Sequence, residues 1–216
     1  YFTVEKEEFY FSILPTATQY ARNAIFSGLF PLELSERYPK LWVADDSEQG
    51  KNLHEAELLR ELLARKRLNI KHGYHKVVSN EEGRLLADNA LNLLHNDLSC
   101  IVVNFIDLIT HARSEMSLIK ELAPDEAAFR SLSRSWLEHS SLMALLRRLR
   151  DRNVRIVLST DHGSVRVQKP VKIVGDRSTT TNLRYKQGRN LNYDEKARNV
   201  FTVRKPEDAR LPRASV

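Results

Sequence analysis

The chain of 216 residues is long enough to bury a substantial core as one α/β domain, and its single cysteine, Cys100, excludes an internal disulfide and a cysteine-rich zinc module. Its 34 basic and 28 acidic residues give a net charge of +6, which suits polyanionic partners. No apolar stretch approaches the ~20 residues that a membrane span needs and no signal peptide is recognisable, so we expect a cytoplasmic protein without a membrane partner.

The first predicted element is a β-strand over residues 8–14, an aromatic and β-branched run that ends at Pro15. The residues from Thr16 onward predict the first turns of a helix. A hydroxyl at a helix N-terminus lies at the positive end of the helix dipole, a setting that favours an anion such as phosphate. Thr18 is therefore a candidate nucleophile, although taken alone it is more typical of a plain helix start.

Three helices are predicted in the connecting regions, at residues 52–66, 85–94 and 129–149. In the first of them, Asn52 is a candidate N-cap and Glu55 is its capping-box partner. A turn at residues 124–126 precedes the third helix. Helices that alternate with buried strands are typical of βαβ units and of a parallel sheet.

Two buried strands are predicted at residues 99–106 and 154–160, and each is followed by an aspartate and a histidine. The two pairs are Asp107 with His111 and Asp161 with His162. We expect these strands to be parallel neighbours, so that both pairs lie at the sheet edge where ligands bind in α/β folds. Alone, the first pair is more typical of a helix cap with a surface histidine, and the second of a turn with an N-cap aspartate.

The combination of the two pairs with Thr18 favours a metal centre over these separate structural roles. Carboxylate and imidazole groups suit Zn²⁺ or Mn²⁺. The sequence therefore predicts a centre for two divalent metal ions, with Zn²⁺ as the first choice.

The last part of the chain carries most of the basic excess, and three of its residues are candidate substrate contacts: Arg177, Arg184 and Lys186. Such side chains bind phosphate oxygens, and arginine does so with two parallel hydrogen bonds. A solvated basic loop is an equally good interpretation of this segment.

Several of these motifs together resemble the alkaline phosphatase superfamily. Within it, the stretch LPTATQYARNAIFSGLFP at residues 14–31 closely resembles the PglZ domain of PorX-type response regulators. The other motifs that fit are Arg22, Ser27-Gly28, residues 51–54, the D-x-x-x-H of Asp107 and His111, the S-T-D-H-G of residues 159–163, and the block 177–193. The resemblance covers all 216 residues as one domain. It implies an α/β fold with an alkaline phosphatase-like core, a mostly parallel sheet flanked by helices on both faces.

The resemblance also implies a role for each motif residue. Thr18 would be the nucleophile and would contact one metal ion, which Asp161 and His162 also bind, whereas Asp107 and His111 would bind the other ion. The superfamily pattern includes an aspartate on a strand before Tyr1 and a histidine on a strand after Val216. We therefore expect this chain to be an incomplete domain of a longer protein, inactive by itself.

The implied function is metal-dependent hydrolysis of phosphoesters, with nucleotide or oligonucleotide diesters as candidate substrates. The family context adds a receiver domain in the parent chain, a homodimer, and a two-component regulator of the kind linked to type IX secretion. Two alternatives remain open. One is a signalling or dimerisation module with a structural metal site, and the other is a phosphomutase of the same superfamily.

Overall fold

The computed structural model describes residues 2–43, 50–104, 116–164, 167, 169–177, 179–194 and 196–213. The chain forms two compact units. We call Glu8–Leu68 with Leu158–Val216 the helical unit, and Tyr1–Glu7 with Asn69–Val157 the sheet unit. Among the described residues, no helix has both the length and the apolar character needed to cross a lipid bilayer.

The helical unit contains three helices, which are α1 (Thr18–Ser27), α2 (Pro31–Arg37) and α3 (Glu55–Arg65). Helix α1 ends at Gly28, which adopts the left-handed conformation with φ of 61° and donates its N–H to Ala24 O at 2.7 Å. Helix α2 begins with Pro31 at its first position, where a missing N–H costs nothing. Helix α3 packs its buried leucines, such as Leu58 and Leu59, against α1.

The described residues in the rest of the helical unit form little regular structure. Its described part contains an isolated antiparallel bridge between Val174 and Asn192 and a 3₁₀ turn at Pro206–Ala209. Arg184 and Lys186 in this segment donate side-chain hydrogen bonds to backbone oxygens.

The sheet unit is built on two parallel strands, β1 (His72–Val77) and β2 (Leu98–Val103), which are in register from His72↔Leu98 to Val77↔Val103. The crossover between them consists of helix α4 (Asn80–Asp88) and a 3₁₀ helix at Ala90–His95. This arrangement is a βαβ unit. The prediction of a strand at 99–106 is therefore confirmed within its described part.

The described part of the sheet unit has three more helices, which are α5 (Ser117–Leu122), α6 (Glu126–His139) and α7 (Ser141–Leu149). Helix α7 packs against α4 around a core of Ala87, Ala90, Leu93, Leu145 and Leu149. The single helix predicted at 129–149 is wrong, because Ser140 interrupts it. The Ser140 hydroxyl accepts a hydrogen bond from Met143 N at 3.2 Å and thereby caps a new helix.

Two predicted strands are not formed. Residues 8–14 and 154–160 have no ladder hydrogen bonds in the described chain. Side chains in both runs are largely exposed, for example Phe11 and Val157. The strand predicted at 8–14 and the buried strand predicted at 154–160 are therefore both wrong. An apolar run indicates a tendency to be buried, but a strand also needs a hydrogen-bonding neighbour. The described sheet has two strands, and the larger core implied by the resemblance is not visible in that part of the chain.

Two helix boundaries also differ from the predictions. Helix α4 lies mostly before residue 85, and the second half of the predicted helix 85–94 is the 3₁₀ segment. Helix α3 begins at Glu55 with His54 as N-cap, so Asn52 does not cap it. The capping box that we predicted for Asn52 and Glu55 is therefore wrong, and both side chains have other partners.

Candidate functional site

Thr18 is the first residue of helix α1 and its hydroxyl is directed to a histidine. The N-cap residue is Ala17, an extended residue with φ of −128° that offers no capping side chain. Thr18 Oγ1 lies 3.1 Å from His162 Nε2. The structure thus brings together two residues that are 144 positions apart in the chain and that the sequence predicted to share a site.

The hydrogen-bond partner of His162 Nδ1 determines whether Nε2 donates or accepts a hydrogen bond. His162 Nδ1 lies 3.1 Å from the carbonyl oxygen of Gly163. A carbonyl oxygen can only accept, so in the neutral ring Nδ1 carries the hydrogen and Nε2 presents its lone pair. The Thr18 hydroxyl then donates to that lone pair. The same backbone contact would hold the ring for a metal ion at Nε2, since ligand histidines commonly donate their other N–H to a carbonyl.

Asp161 supplies a carboxylate to the same place. Its Oδ1 accepts the backbone N–H of His162 at 3.1 Å. Its Oδ2 is buried, and no donor in the described part of the chain forms a hydrogen bond with it. This oxygen lies 3.9 Å from His162 Nε2 and 3.6 Å from Arg22 Nε. A buried carboxylate oxygen without a donor is well suited to a cation.

The extended segment before α1 holds the loop that carries Asp161. Ser12 Oγ donates to Asp161 O at 2.7 Å, and the Tyr10 hydroxyl donates to Thr160 O and lies 2.9 Å from Ser159 Oγ. These contacts place residues 8–14 beside the loop that carries Asp161 and His162, even though residues 8–14 form no strand. We had not predicted this role for the side chains of Tyr10 and Ser12.

Arg22 and Glu55 form an ion pair next to the carboxylate of Asp161. Arg22 is one turn after Thr18 on α1, and its Nε lies 3.4 Å from Glu55 Oε1 at the start of α3. Arg22 is 8% exposed and Glu55 is 1% exposed. We did not predict this ion pair from the sequence. The available signal was that Glu55 precedes Leu58 and Leu59 by three and four positions, which places a charge on the apolar face of α3.

Asn52 stabilises the first turn of α1 instead of capping α3. Its Nδ2 lies 3.3 Å from the carbonyl oxygen of Thr18 and 3.2 Å from Oδ1 of Asn23. Asn23 is buried and donates to the carbonyl oxygen of Lys51 at 3.1 Å. The loop 51–54 thus fixes the backbone of the candidate nucleophile.

The three predicted substrate contacts have different surroundings. Arg184 is exposed, and its guanidinium donates to Thr16 O at 3.1 Å, Thr16 Oγ1 at 3.2 Å and Gly163 O at 2.9 Å. Arg184 therefore connects the start of α1 to the loop of His162. Lys186 Nζ donates to Thr180 O at 3.0 Å, within its own loop. Arg177 lies exposed in a turn.

Asp107 and His111 lie outside the described residues. In the part of the chain that is described, no group of three or more histidine, cysteine, aspartate or glutamate residues forms a metal cluster. Asp161 Oδ2, His162 Nε2 and Thr18 Oγ1 nevertheless provide two oxygens and one imidazole nitrogen, a donor set that fits Zn²⁺ or Mn²⁺. The described residues therefore fit one metal ion as a partial ligand set.

Comparison with known proteins identifies the family. No curated protein matches the chain. Residues 2–207 match the family described as the BREX system PglZ alkaline phosphatase-like domain. This range includes nearly the whole chain and all of the site residues described above. The chain therefore belongs to the PglZ family of alkaline phosphatase-like domains.

Proposed function

We propose that this domain is a metal-dependent phosphoesterase that uses Thr18 as its nucleophile. Membership of an alkaline phosphatase-like family points to phosphoesterase-type activity. The observation that carries the more specific proposal is the 3.1 Å contact between Thr18 Oγ1 and His162 Nε2, next to the buried Oδ2 of Asp161. A hydroxyl, an imidazole and a carboxylate whose Oδ2 accepts no hydrogen bond within the described chain are the groups that such chemistry requires.

In this proposal Asp161 and His162 hold a divalent ion, Zn²⁺ in the first place or Mn²⁺, beside Thr18. When bound, the ion lowers the pKa of the Thr18 hydroxyl and neutralises charge on the phosphate. The Thr18 hydroxyl proton passes to solvent water, Thr18 Oγ1 attacks phosphorus in line, and a new oxygen–phosphorus bond forms on Thr18. The bond to the leaving oxygen breaks, and that oxygen departs with the electron pair and takes up a proton from water. Water then hydrolyses the threonine ester and restores the hydroxyl.

The rest of the domain orients the reacting groups. The N-terminus of α1 directs the positive end of its dipole at the position where phosphate charge develops. Arg184 holds the backbone on both sides of the site, at Thr16 and Gly163. Arg177, Arg184 and Lys186 are proposed to contact the phosphate, and of these Arg184 is the one whose bonds reach the site segments.

The family resemblance supports further proposals beyond this geometry. Asp107 and His111 are proposed as ligands of a second divalent ion. Nucleotide or oligonucleotide diesters are the proposed substrates, which agrees with the net charge of +6. We also propose that the domain is the output domain of a cytoplasmic two-component regulator with a receiver domain, and that it acts as a homodimer.

Substitution of two neighbouring threonines tests the nucleophile. Thr18→Ala in the full protein is expected to remove nearly all hydrolysis of an aryl phosphodiester, and Thr18→Ser is expected to retain measurable turnover because it keeps a hydroxyl. Thr16→Ala is the matched control, since it removes one exposed hydrogen bond to Arg184 and leaves Thr18 intact. The measurement is kcat and KM for each variant at saturating Zn²⁺.

The outcomes separate the candidate functions. Undiminished turnover by Thr18→Ala would remove threonine from the mechanism. Bound metal without any turnover in the parent protein would instead support a signalling or dimerisation module. Transfer of the phosphoryl group to an acceptor without net release of phosphate would support a phosphomutase.

A further inference from the structure

The buried cation Arg22 lies between two carboxylates in the helical unit, and one of them belongs to a proposed metal ligand. Arg22 Nε is 3.6 Å from Asp161 Oδ2 and 3.4 Å from Glu55 Oε1. Only about a tenth of the Arg22 side chain is exposed. Because an arginine remains protonated in proteins, a full positive charge stands next to the oxygen that would bind the metal ion.

A lone arginine in this place would oppose the metal ion. Two cations that share one carboxylate oxygen repel each other, and burial makes this repulsion stronger than it would be in water. The Arg22 side chain can nevertheless orient the Asp161 carboxylate. Arg22 can orient Asp161 without weakening metal binding only if a second carboxylate neutralises the Arg22 charge.

Glu55 occupies the position where this cancellation is possible. Its side chain is 1% exposed, and it is fixed at the first position of α3, next to Arg22 on α1. A buried glutamate on the apolar face of a helix is unfavourable without a cationic partner. The contact of Arg22 with Glu55, at 3.4 Å, is slightly shorter than its contact with Asp161, at 3.6 Å, so the negative charge of Glu55 offsets the positive charge of Arg22.

We propose that Glu55 is a positioning residue of the metal site, which neutralises Arg22 so that Arg22 orients Asp161 without repelling a divalent cation. The inference rests on the proposed function, because it requires Asp161 to bind a metal ion. It assigns to Glu55 and Arg22 a joint effect on metal affinity, in addition to their effect on the packing of α1 against α3.

The test is the affinity of the full protein for Zn²⁺, measured by competition with a chromophoric chelator. Glu55→Gln preserves shape but leaves Arg22 uncompensated, and it is expected to weaken Zn²⁺ binding by about 10-fold to 100-fold, as for other residues that support ligands. The double variant Arg22→Met with Glu55→Gln removes both charges, and it is expected to bind within about 10-fold of the parent protein.

The control variant, Glu61→Gln, also removes one glutamate charge from helix α3, but away from Arg22 and Asp161. This substitution removes the ion pair of Glu61 with Arg60, which is 3.8 Å long and more exposed than the pair of Glu55 with Arg22. It is expected to leave Zn²⁺ affinity unchanged. Thermal unfolding without metal establishes that each variant folds. If Glu55→Gln does not fold, the double variant still tests the inference, which fails if that variant binds Zn²⁺ more than about 10-fold more weakly than the parent protein.

The inference is overturned if Glu55→Gln binds Zn²⁺ as tightly as the parent protein does. It is also overturned if the double variant binds Zn²⁺ more than about 10-fold more weakly than the parent, because a neutral replacement should not oppose the ion. A parent protein that binds no Zn²⁺ contradicts the proposed metal site itself, and the inference is then overturned together with it. The affinities of the parent protein and Glu55→Gln thus distinguish the two failures.

Discussion

Individual residues of the site could be predicted where the chain places them directly beside a recognisable motif. Thr18, Asp161 and His162 were candidates from sequence, and the structure brings Thr18 Oγ1 within 3.1 Å of His162 Nε2. Arg22 lies in the same motif as Thr18, but its ion-pair partner Glu55 is 33 positions away in the chain. Neither residue type nor spacing identifies which charge pairs with which across two helices. That assignment requires the packing of α1 against α3.

Cys100 illustrates a residue whose chemistry follows from its place in the sheet. It is half-buried in β2, and burial raises the pKa of its thiol above the ordinary value. A raised pKa means that the thiolate forms at higher pH in the folded protein than in an unfolded chain. This supports a packing role for Cys100, since the thiolate is the form that reacts and binds metals.

We therefore expect Cys100 to react slowly with iodoacetamide at pH 8 in the folded protein and at the ordinary rate for a free cysteine in urea. Because Cys100 is the single cysteine, total thiol labelling reports on it directly. The pH at which the folded-state rate reaches half its maximum should exceed that of the urea-unfolded chain. Equal pH profiles in both states would contradict this expectation.

Among the elements, strand β2 was predicted correctly and strand β1 was missed. Strand β2 has the sequence LSCIVV, whose apolar residues indicate burial. Strand β1 has the sequence HGYHKV, in which glycine and polar residues do not give the apolar pattern that predicts a strand. Residues 154–160 show the opposite error, because an apolar run there forms no ladder in the described chain. Strand formation depends on a partner, and a single sequence does not name the partner.

Helix ends depend on local chemistry and were predicted only in part. Asp125 caps α6, since its Oδ1 accepts from Ala128 N at 2.8 Å, in agreement with the predicted turn at 124–126. The break at Ser140 was missed, because a serine within a continuous apolar pattern is compatible with either one helix or two. The hydrogen bond that decides between them is visible only in the structure.

Gly28, at the end of helix α1, allows a test of how much a helix end contributes to stability. Its φ of 61° is a conformation that residues with a Cβ rarely adopt, and an added Cβ would lie 2.8 Å from Leu62 Cδ1. We expect Gly28→Ala to lower the free energy of unfolding by about 1–2 kcal/mol, because the left-handed conformation alone costs about that much. Urea denaturation followed by circular dichroism measures the difference.

Gly163→Ala is a useful comparison for this measurement, because a Cβ there would meet no atom within 4 Å. Its change in unfolding free energy should be clearly smaller than that of Gly28→Ala. An equal or larger effect at Gly163 would show that the strained end of α1 does not limit stability. The comparison thus tests whether the loop between α1 and α2 needs a glycine.

For the whole molecule, the family was evident from sequence because three motifs occur in the family's order, and residues 2–207 match that family. The described residues form two compact units, one with the parallel strand pair and one with Thr18, Asp161 and His162. Composition and periodicity indicated an α/β protein but gave no means of dividing the chain in this way. The division depends on contacts between distant segments, such as residues 8–68 with 158–216.

The central claim is that Thr18 attacks phosphorus, and the most direct measurement is a search for the resulting ester on Thr18. The full protein with bound Zn²⁺ is mixed with an aryl phosphodiester, quenched in acid during turnover, and digested for mass spectrometry. Our account predicts an adduct on the peptide that contains Thr18, at Thr18 and not at Thr16, in which the transferred phosphorus keeps the second ester group of the substrate. The adduct should be absent from Thr18→Ala and from samples treated with a chelator. Rapid turnover with no adduct on Thr18 at any quench time, together with full activity of Thr18→Ala, would contradict the account.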